Sequence, residues 1–448
     1  MYRRILSTFL LAVLGALPAQ AQKYGITSKT LANGLEVIVI ENHSLPILTI
    51  EIAVKNGAYT EPPELDGLSH LYEHMFFKAN KTIPSQEAYL ARQRELGMVW
   101  NGTTSNELVN YFFTLHKDDL RDGMVFMHDA IRYPLFKQEE LERERPVVLG
   151  EFDRNEASPF FHWGQAVSRL MWSHYFSRKN VIGDREVITT ATQEKMRTIQ
   201  NRYYIPNNSA LIVAGDAAPA EIFTMVQELF GDWPRGDDPF VKFPIPEHPP
   251  LDSSATVTVI QPVNAVMIMK QWHGPSMRDD IKATFAADVF TFIIGQPNSR
   301  FQKMLVDSGL VDGIGLSYQS LVHTGPITLQ ARSDTGRFDR AMAAIETEIG
   351  HFADPDYYTD EQLEYAKNQL EQGEIYSQEQ TSNFVHTISF WWSTGGLDYY
   401  LNYIDNLRAV TRADVTAYVN RYILGKANIT GILASQADAE KLGLAGGM

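Results

Sequence analysis

A proline-rich stretch divides the chain into two parts of similar length. Residues 233–253 contain six prolines together with a glycine and several aspartates. Proline fixes φ and removes an amide donor, so this composition disfavours both a helix and a central strand. We therefore interpret residues 233–253 as a linker between a first half at residues 22–232 and a second half at residues 254–448.

The two halves repeat one order of predicted elements. In the first half, strands precede a helical run at about 68–77, and later helices lead to a closing strand at 210–214. In the second half, strands precede a helical run at 281–292, and later helices lead to a strand at 429–433. The repeated order predicts an internal duplication, with two α+β halves of about 200 residues each. Further predicted elements are a hairpin at Asn33-Gly34, strands at 35–40, 46–54, 111–115, 255–260, 265–271 and 327–332, and helical segments at 118–132, 138–145, 337–352, 361–374 and 412–422.

The composition indicates a globular protein that does not bind nucleic acid. The chain has 448 residues, 44% of them hydrophobic, which is enough for two large cores. Its formal net charge of -15 repels phosphate backbones and anionic lipid. There is no cysteine, so the fold uses no disulfide and any metal must be held by His, Asp or Glu.

The first 21 residues have the pattern of a secretory signal peptide. Arg3 and Arg4 precede an apolar stretch at residues 5–17, and Ala19-Gln20-Ala21 is a small-x-small cleavage pattern. We predict cleavage before Gln22 and a periplasmic protein, without stable membrane insertion. The alternative is an uncleaved N-terminal anchor. Removal of these residues takes away two arginines and no acid, so the net charge falls from -15 to -17.

The segment His70-Leu71-Tyr72-Glu73-His74 carries the main chemical signal. Two histidines four residues apart lie on one face of a helix, where both imidazoles can bind one zinc ion. Glu73 lies beside them and can take a proton from water at the metal, as in the H-x-x-E-H zincin motif. The alternative is a pair of histidines on a helix surface, but the apolar flank Met75-Phe76-Phe77 indicates a helix buried on one side.

A zinc site with two histidines needs a third protein ligand. Glu144 and Glu151 are seven residues apart, and they share a face if one helix continues through both. Pro146 leaves that continuity open. One of the two glutamates is expected to bind zinc, while the other orients a ligand or the base.

The sequence resembles the pitrilysin family of zinc peptidases, which includes insulin-degrading enzyme and mitochondrial processing peptidase. The resemblance covers nearly all of the mature chain and is strongest at residues 67–75 with Glu144 and Glu151, the 77th residue after His74. It implies two homologous α+β domains, each a mostly antiparallel sheet packed with helices that forms a clam-like half-shell. It also implies one zinc ion per chain. The implied site residues are the zinc ligands His70, His74 and Glu151, the base Glu73, and Glu144 in contact with a ligand.

The run Asn101-Gly102-Thr103-Thr104-Ser105 resembles the family's edge strand beside the active site. In that family the strand takes up peptide substrate as an added β-strand, which implies substrate contacts at Asn101, Gly102 and Thr103. Without the resemblance, the same run is typical of a polar turn.

The second half departs from the family pattern. The family's active sites use an arginine and a tyrosine from this half, but alignment on Gly309-Leu310 puts Leu305 and Asp312 at those positions. Neither side chain can stabilise an oxyanion. The resemblance therefore implies a heterodimer, in which a homologous subunit without the zinc motif supplies the arginine and tyrosine.

The sequence is consistent with two functions. The first is a zinc metalloendopeptidase subunit that hydrolyses peptides or unfolded segments in a chamber enclosed with its partner. The second is a non-catalytic structural or binding subunit of a similar complex. There is no phosphate-binding glycine loop and no G-x-S-x-G motif. The remaining histidines that we considered lack metal-like spacing and are interpreted as structural or surface residues; these are His116, His128, His162, His174, His273, His323, His351 and His386.

Overall fold

The computed structural model describes residues 24–173, 175 and 177–444. The signal peptide predicted at residues 1–21 and the histidine at position 174 lie outside the described residues. Within the described part of the chain, no helix is both long enough and apolar enough to cross a membrane.

Both halves contain strands and helices. The strands are β1 (Ile26–Thr30), β2 (Glu36–Glu41), β3 (Ile47–Val54), β4 (Val99–Thr104), β5 (Val109–His116), β6 (Ser209–Gly215), β7 (Ala255–Ile260), β8 (Val266–His273), β9 (Gly313–Tyr318), β10 (Pro326–Ser333) and β11 (Ile429–Ala434). The helices are α1 (Leu68–Phe76), α2 (Gln86–Glu95), α3 (Leu120–Arg132), α4 (Gln138–Glu156), α5 (Pro159–Trp172), α6 (Arg185–Thr189), α7 (Gln193–Tyr203), α8 (Pro219–Phe230), α9 (Pro239–Lys242), α10 (Ile281–Gly295), α11 (Arg300–Gln302), α12 (Phe338–His351), α13 (Asp360–Ser377), α14 (Thr381–Thr394), α15 (Leu397–Leu401), α16 (Tyr403–Ala409), α17 (Arg412–Tyr422) and α18 (Gln436–Lys441). A π-helical turn at Lys303–Asp307 follows α11.

Both halves build a sheet with the same topology. The first sheet has the order β1-β2-β6-β3-β5-β4, and the second has the order β7-β11-β8-β10-β9. In each sheet one pair is parallel, β2 with β6 and β7 with β11, and the other pairs are antiparallel. Only β1 has no counterpart among the described residues of the second half. The predicted fold of two similar, mostly antiparallel α+β units is confirmed.

Most predicted elements match the structure to within one or two residues. The hairpin predicted at Asn33-Gly34 joins β1 to β2, and Gly34 has the positive φ of 93° that the turn requires. Strand β9 was not predicted. It lies at a sheet edge, and although Ile314, Leu316 and Tyr318 alternate with small or polar residues, the glycines Gly313 and Gly315 weaken the strand signal.

The linker contains a helix, contrary to the prediction from its composition. The short helix α9 begins with Pro239, and the carboxylate of Asp238 accepts a hydrogen bond from the amide of Phe240. Proline is tolerated in the first turn because an amide there has no intrahelical partner.

The two halves exchange helices. Helix α5 of the first half packs against β11 and β7 of the second sheet, while α14 of the second half packs against β6 and β3 of the first. Gly431 in β11 allows this approach, because a Cβ there would lie 2.4 Å from Val167 of α5. Each half therefore buries part of its sheet under a helix from the other.

A buried ion pair ties the β4–β5 turn to the second half. Glu107, which is 1% exposed, contacts Arg178 at 2.6 Å, and it also accepts hydrogen bonds from the amides of Val322 and His323. Arg178 in turn donates to the carbonyl of Thr324. Because β4 ends at Thr104, this contact holds the end of an edge strand against the other half.

The substitution Glu107→Ala is expected to lower the free energy of unfolding by about 3–5 kcal/mol, because it leaves the buried Arg178 guanidinium without its carboxylate. Chemical denaturation of the full chain measures the change. The matched control is Glu228→Ala, which removes an exposed pair with Arg121 and should cost less than about 1 kcal/mol. Equal effects of the two substitutions would contradict this role for Glu107.

Candidate metal centre

Helix α1 is fixed at its N-terminus by a buried carboxylate. Gly67 precedes the helix in a left-handed conformation with φ of 89°. A Cβ on this residue would lie 2.5 Å from the carbonyl oxygen of Ile182, so a side chain does not fit there. The fully buried Glu61 accepts hydrogen bonds from the amides of Gly67 at 2.9 Å and Ser69 at 2.5 Å. A carboxylate at this position satisfies free amides and complements the helix dipole. Lys179 contacts the same carboxylate at 3.1 Å.

The two faces of α1 differ in character. Its apolar side is buried in the core of the first half and includes Leu68, Leu71, Tyr72, Met75 and Phe76. The opposite side carries His70, Glu73 and His74, which are partly exposed. The i, i+3, i+4 spacing thus places three polar groups together above an apolar base.

Helix α4 brings the third predicted ligand to this face. It runs through Pro146 without a break, so Glu144 and Glu151 lie two turns apart on one side of the same helix. Pro146 and Glu142, whose carbonyl the proline leaves without an amide partner, are both exposed residues. Helix α4 is therefore continuous across Pro146, and Glu144 and Glu151 share one face of it.

His70, His74 and Glu151 converge on one point. The Glu151 Oε2 atom lies 3.5 Å from His70 Nε2 and 3.7 Å from His74 Nε2, and one ligand atom from each residue lies within 4.8 Å of the others. These distances are too long for hydrogen bonds. Two ligands about 2.1 Å from a tetrahedral zinc would be about 3.4 Å apart, so the spacing fits a metal ion between them. It is the one group of this kind in the described part of the chain.

Burial and the nearby carboxylates shift the pKa values of the two histidines in opposite directions. Burial, with a smaller effect from His74, lowers the pKa of His70 to about 4, so this imidazole is neutral at physiological pH. Burial acts to lower the pKa of His74 as well, but the carboxylates of Glu144, Glu151 and Glu73 outweigh it and raise that pKa above its usual value. A cation between these groups would compensate the same concentration of negative charge.

Glu144 does not reach the metal position but holds His74. Its Oε1 atom lies 2.8 Å from His74 Nδ1, and its Oε2 atom lies 2.5 Å from the Lys78 ammonium. Burial acts to raise the pKa of the Glu144 carboxyl, yet the hydrogen bonds from His74 and Lys78 hold that pKa below its usual value. A carboxylate accepts, so His74 Nδ1 donates, and in the neutral ring Nε2 then keeps the lone pair that a metal ligand needs.

The side chain of Glu73 extends from α1 to the edge strand β4. Thr104 Oγ1 donates a hydrogen bond of 2.7 Å to Glu73 Oε2. Gly102 passes so close that a Cβ on it would lie 2.9 Å from Glu73 Cγ. Burial raises the pKa of the Glu73 carboxyl, although the hydrogen bond from Thr104 opposes the shift. A base with a raised pKa accepts a proton more readily near neutral pH.

Strand β4 is the free edge of the first sheet on this side. Its other edge pairs with β5, so Asn101 lies opposite Phe112 and Thr103 lies opposite Asn110. Asn101 and Thr103 are exposed, whereas Gly102 is buried against Glu73. The three predicted substrate contacts therefore lie on an open strand edge next to the predicted base.

The second half contributes neither an arginine nor a tyrosine from the two aligned positions. Leu305 is fully buried in the core of the second half. Asp312 forms an ion pair with Arg337 at 2.9 Å. The nearby Arg300 pairs with Glu348, and Tyr318 donates its hydroxyl hydrogen to the carbonyl of Pro275.

None of the other histidines that the structure describes belongs to this group. His273 stacks on Trp172 with ring centroids 4.5 Å apart, and burial lowers its pKa. His386 on the exchanged helix α14 contacts the buried Glu51 at 2.5 Å. These contacts join the two halves and are structural.

Sequence reasoning missed two residues of the site. Thr104, which orients Glu73, belongs to the quoted run but received no role. Lys78 lies one helical turn after His74, directly behind an apolar run, and a lysine in that position is the one signal that could have indicated a buried charge.

Comparison with known proteins identifies the family. Residues 36–183 match the model described as "Insulinase (Peptidase family M16)", and residues 190–370 match "Peptidase M16 inactive domain". The chain belongs to the M16 peptidase family. The resemblance seen in the sequence is thereby confirmed, since insulin-degrading enzyme is among the relatives.

Individual relatives agree with this assignment. The chain is 25% identical to "Zinc protease PqqE" of Helicobacter pylori over 329 residues, which cover 71% of each protein. It is 27% identical to human "Insulin-degrading enzyme" over 228 residues, or 49% of this chain and 22% of that enzyme. A solved structure, "The crystal structure of a protease from Helicobacter pylori", superposes with a TM-score of 0.79 at 20% identity, covering 91% of this chain and 99% of that one.

The purified chain is expected to bind about one zinc ion, since its one candidate ligand group among the described residues has three protein donors. Metal analysis after dialysis measures the ratio. His70→Ala should abolish tight binding, whereas His351→Ala, which changes a histidine paired with Asp354 in the second half, should leave it unchanged. Stoichiometric zinc in His70→Ala would contradict the assignment.

Proposed function

We propose that this chain is the zinc-bearing subunit of a metalloendopeptidase that hydrolyses peptides or unfolded segments. The observation that carries the proposal is the convergence of two imidazole nitrogens and the Glu151 carboxylate, with a further carboxylate, Glu73, beside them. Membership of a family with members named zinc proteases supports the same chemistry.

His70, His74 and Glu151 would hold the ion. A bound zinc ion supplies Lewis acidity, which lowers the pKa of water and polarises a scissile carbonyl. Glu73 takes the proton from the attacking water and can pass it to the leaving amine. Thr104 fixes the rotation of the Glu73 carboxylate, and Glu144 fixes the ring of His74.

The edge of β4 supports peptide as the substrate class. An extended peptide pairs with such an edge through backbone hydrogen bonds, which require an unfolded segment but no particular sequence. Gly102 lets the backbone of β4 lie close to Glu73, because a Cβ at this position would lie 2.9 Å from Glu73 Cγ. A scissile bond placed on this strand would lie beside both the base and the metal ligands.

The chain is proposed to work with a homologous partner. The tetrahedral oxyanion of amide hydrolysis needs positioned donors. Leu305 has no donor and is buried, while Asp312 is negatively charged and already paired with Arg337. A second M16-like chain that lacks the zinc motif but carries the arginine and tyrosine would supply these donors and close the chamber.

The proposed location is the periplasm. It rests on the signal-peptide pattern of residues 1–21, which predicts export.

A non-catalytic role in such a complex is the competing proposal. The match of residues 190–370 to the inactive domain of the family favours it for the second half. The intact set of His70, Glu73, His74 and Glu151 favours catalysis for the first.

The substitution Glu73→Gln is expected to leave zinc bound and to lower the turnover of an unstructured fluorogenic peptide by about 10²-fold or more, because the amide cannot accept the proton. The assay uses the complex purified from the native host. Glu228→Gln, at an exposed site, serves as the control and should keep full activity. Unchanged turnover in Glu73→Gln would refute its role as the base, and a zinc-bound wild-type complex without peptidase activity would favour the non-catalytic role.

The isolated chain should hydrolyse peptides poorly, and addition of the homologous subunit should restore activity. Substitution of the partner's arginine or tyrosine should then remove the gain while zinc stays bound to this chain. Full activity of the isolated chain would contradict the shared site without contradicting zinc chemistry.

A further inference from the structure

Lys78 is a buried lysine that forms an ion pair with Glu144. It lies just past the end of α1 and is 6% exposed. Its ammonium lies 2.5 Å from Glu144 Oε2, which is its one ion-pair partner in the described part of the chain. Removal of an ammonium group from water is costly unless it is paired, so the position of Lys78 depends on this carboxylate.

The same carboxylate also holds a predicted zinc ligand. Glu144 Oε1 contacts His74 Nδ1 at 2.8 Å, so each oxygen of Glu144 has a different partner. A single hydrogen bond to His74 would leave the carboxylate free to rotate about its last bond. The second contact, with Lys78, fixes the plane of the carboxylate and thereby the direction of Oε1.

The position of Lys78 in the chain suits this role. His74 lies in the last turn of α1 and Lys78 lies two residues past its end, and both side chains contact Glu144. Glu144 belongs to α4, the helix that also carries Glu151. The Lys78–Glu144–His74 contacts thus link the two helices that carry the three ligands.

We propose that Lys78 is a positioning residue of the metal centre, which acts through Glu144 to hold His74 in its metal-binding orientation. This inference rests on the zinc site of the proposed function. The change in zinc affinity expected on removal of Lys78 is opposite to that of a simple charge effect, because the Lys78 ammonium repels the zinc ion. If Lys78 acted only through its charge, its removal would strengthen zinc binding, whereas loss of positioning weakens it.

The test is the zinc affinity of the full chain, measured by competition with a chromophoric chelator. Lys78→Met should raise the Kd for zinc by about 10–100-fold, the range found when an outer contact of a metal ligand is lost. Lys78→Arg, which restores a cation able to reach Glu144, should recover most of the affinity. In a Glu144→Gln background, Lys78→Met should change the Kd less than twofold, because the two residues act as one unit.

A control separates this role from a contribution to folding. Lys367 is equally buried and pairs with Glu364 in the second half, far along the chain from the zinc motif. Lys367→Met should lower thermal stability but leave the Kd for zinc unchanged. If Lys78→Met does not fold, Lys78→Gln, which retains a hydrogen-bond donor at shorter reach, takes its place with the same expected direction.

Three results would overturn the proposal. The first is an unchanged or lower Kd in Lys78→Met or Lys78→Gln, and the second is additivity of the Lys78 and Glu144 effects. The third is an equal loss of affinity in Lys367→Met. Failure of the wild-type chain to bind zinc would instead overturn the proposed function on which the inference rests.

Discussion

The contact between α1 and α4 is the interaction on which the site depends. One helix supplies two imidazoles and a carboxylate, and the other supplies Glu151 and the Glu144 contact to His74. Neither helix can form a metal site alone. The core beneath α1 and the Glu61 carboxylate at its N-terminus fix the position of this helix.

The exchange of α5 and α14 extends this constraint to the whole chain. Each sheet is covered by a helix from the other half, and Glu107, shortly after the end of β4, accepts hydrogen bonds from the amides of Val322 and His323 in the second half. The edge strand beside Glu73 is therefore held at one end by a contact that crosses between halves. The second half therefore supports the structure of the first, even though Leu305 and Asp312 provide no catalytic donor.

Much of the fold and the centre of the site could be predicted from sequence. The spacing of His70, Glu73 and His74 implied one helix face, and the repeated element order implied two similar sheets. The third ligand was harder to predict. Pro146 left it open whether one helix carries both Glu144 and Glu151, and the family resemblance was needed to favour Glu151. Thr104 and Lys78 could not be predicted, since their roles depend on which elements meet in space. The helix exchange was also missed, because an amphipathic pattern shows that a face is buried but not which sheet covers it.

The most direct test of the account is anomalous diffraction at the zinc edge from crystals of the zinc-loaded chain. The account predicts one peak, bonded at about 2.0–2.2 Å to Nε2 of His70, Nε2 of His74 and a carboxylate oxygen of Glu151. A zinc peak elsewhere, or a Glu151 carboxylate turned away from the paired imidazoles, would contradict it.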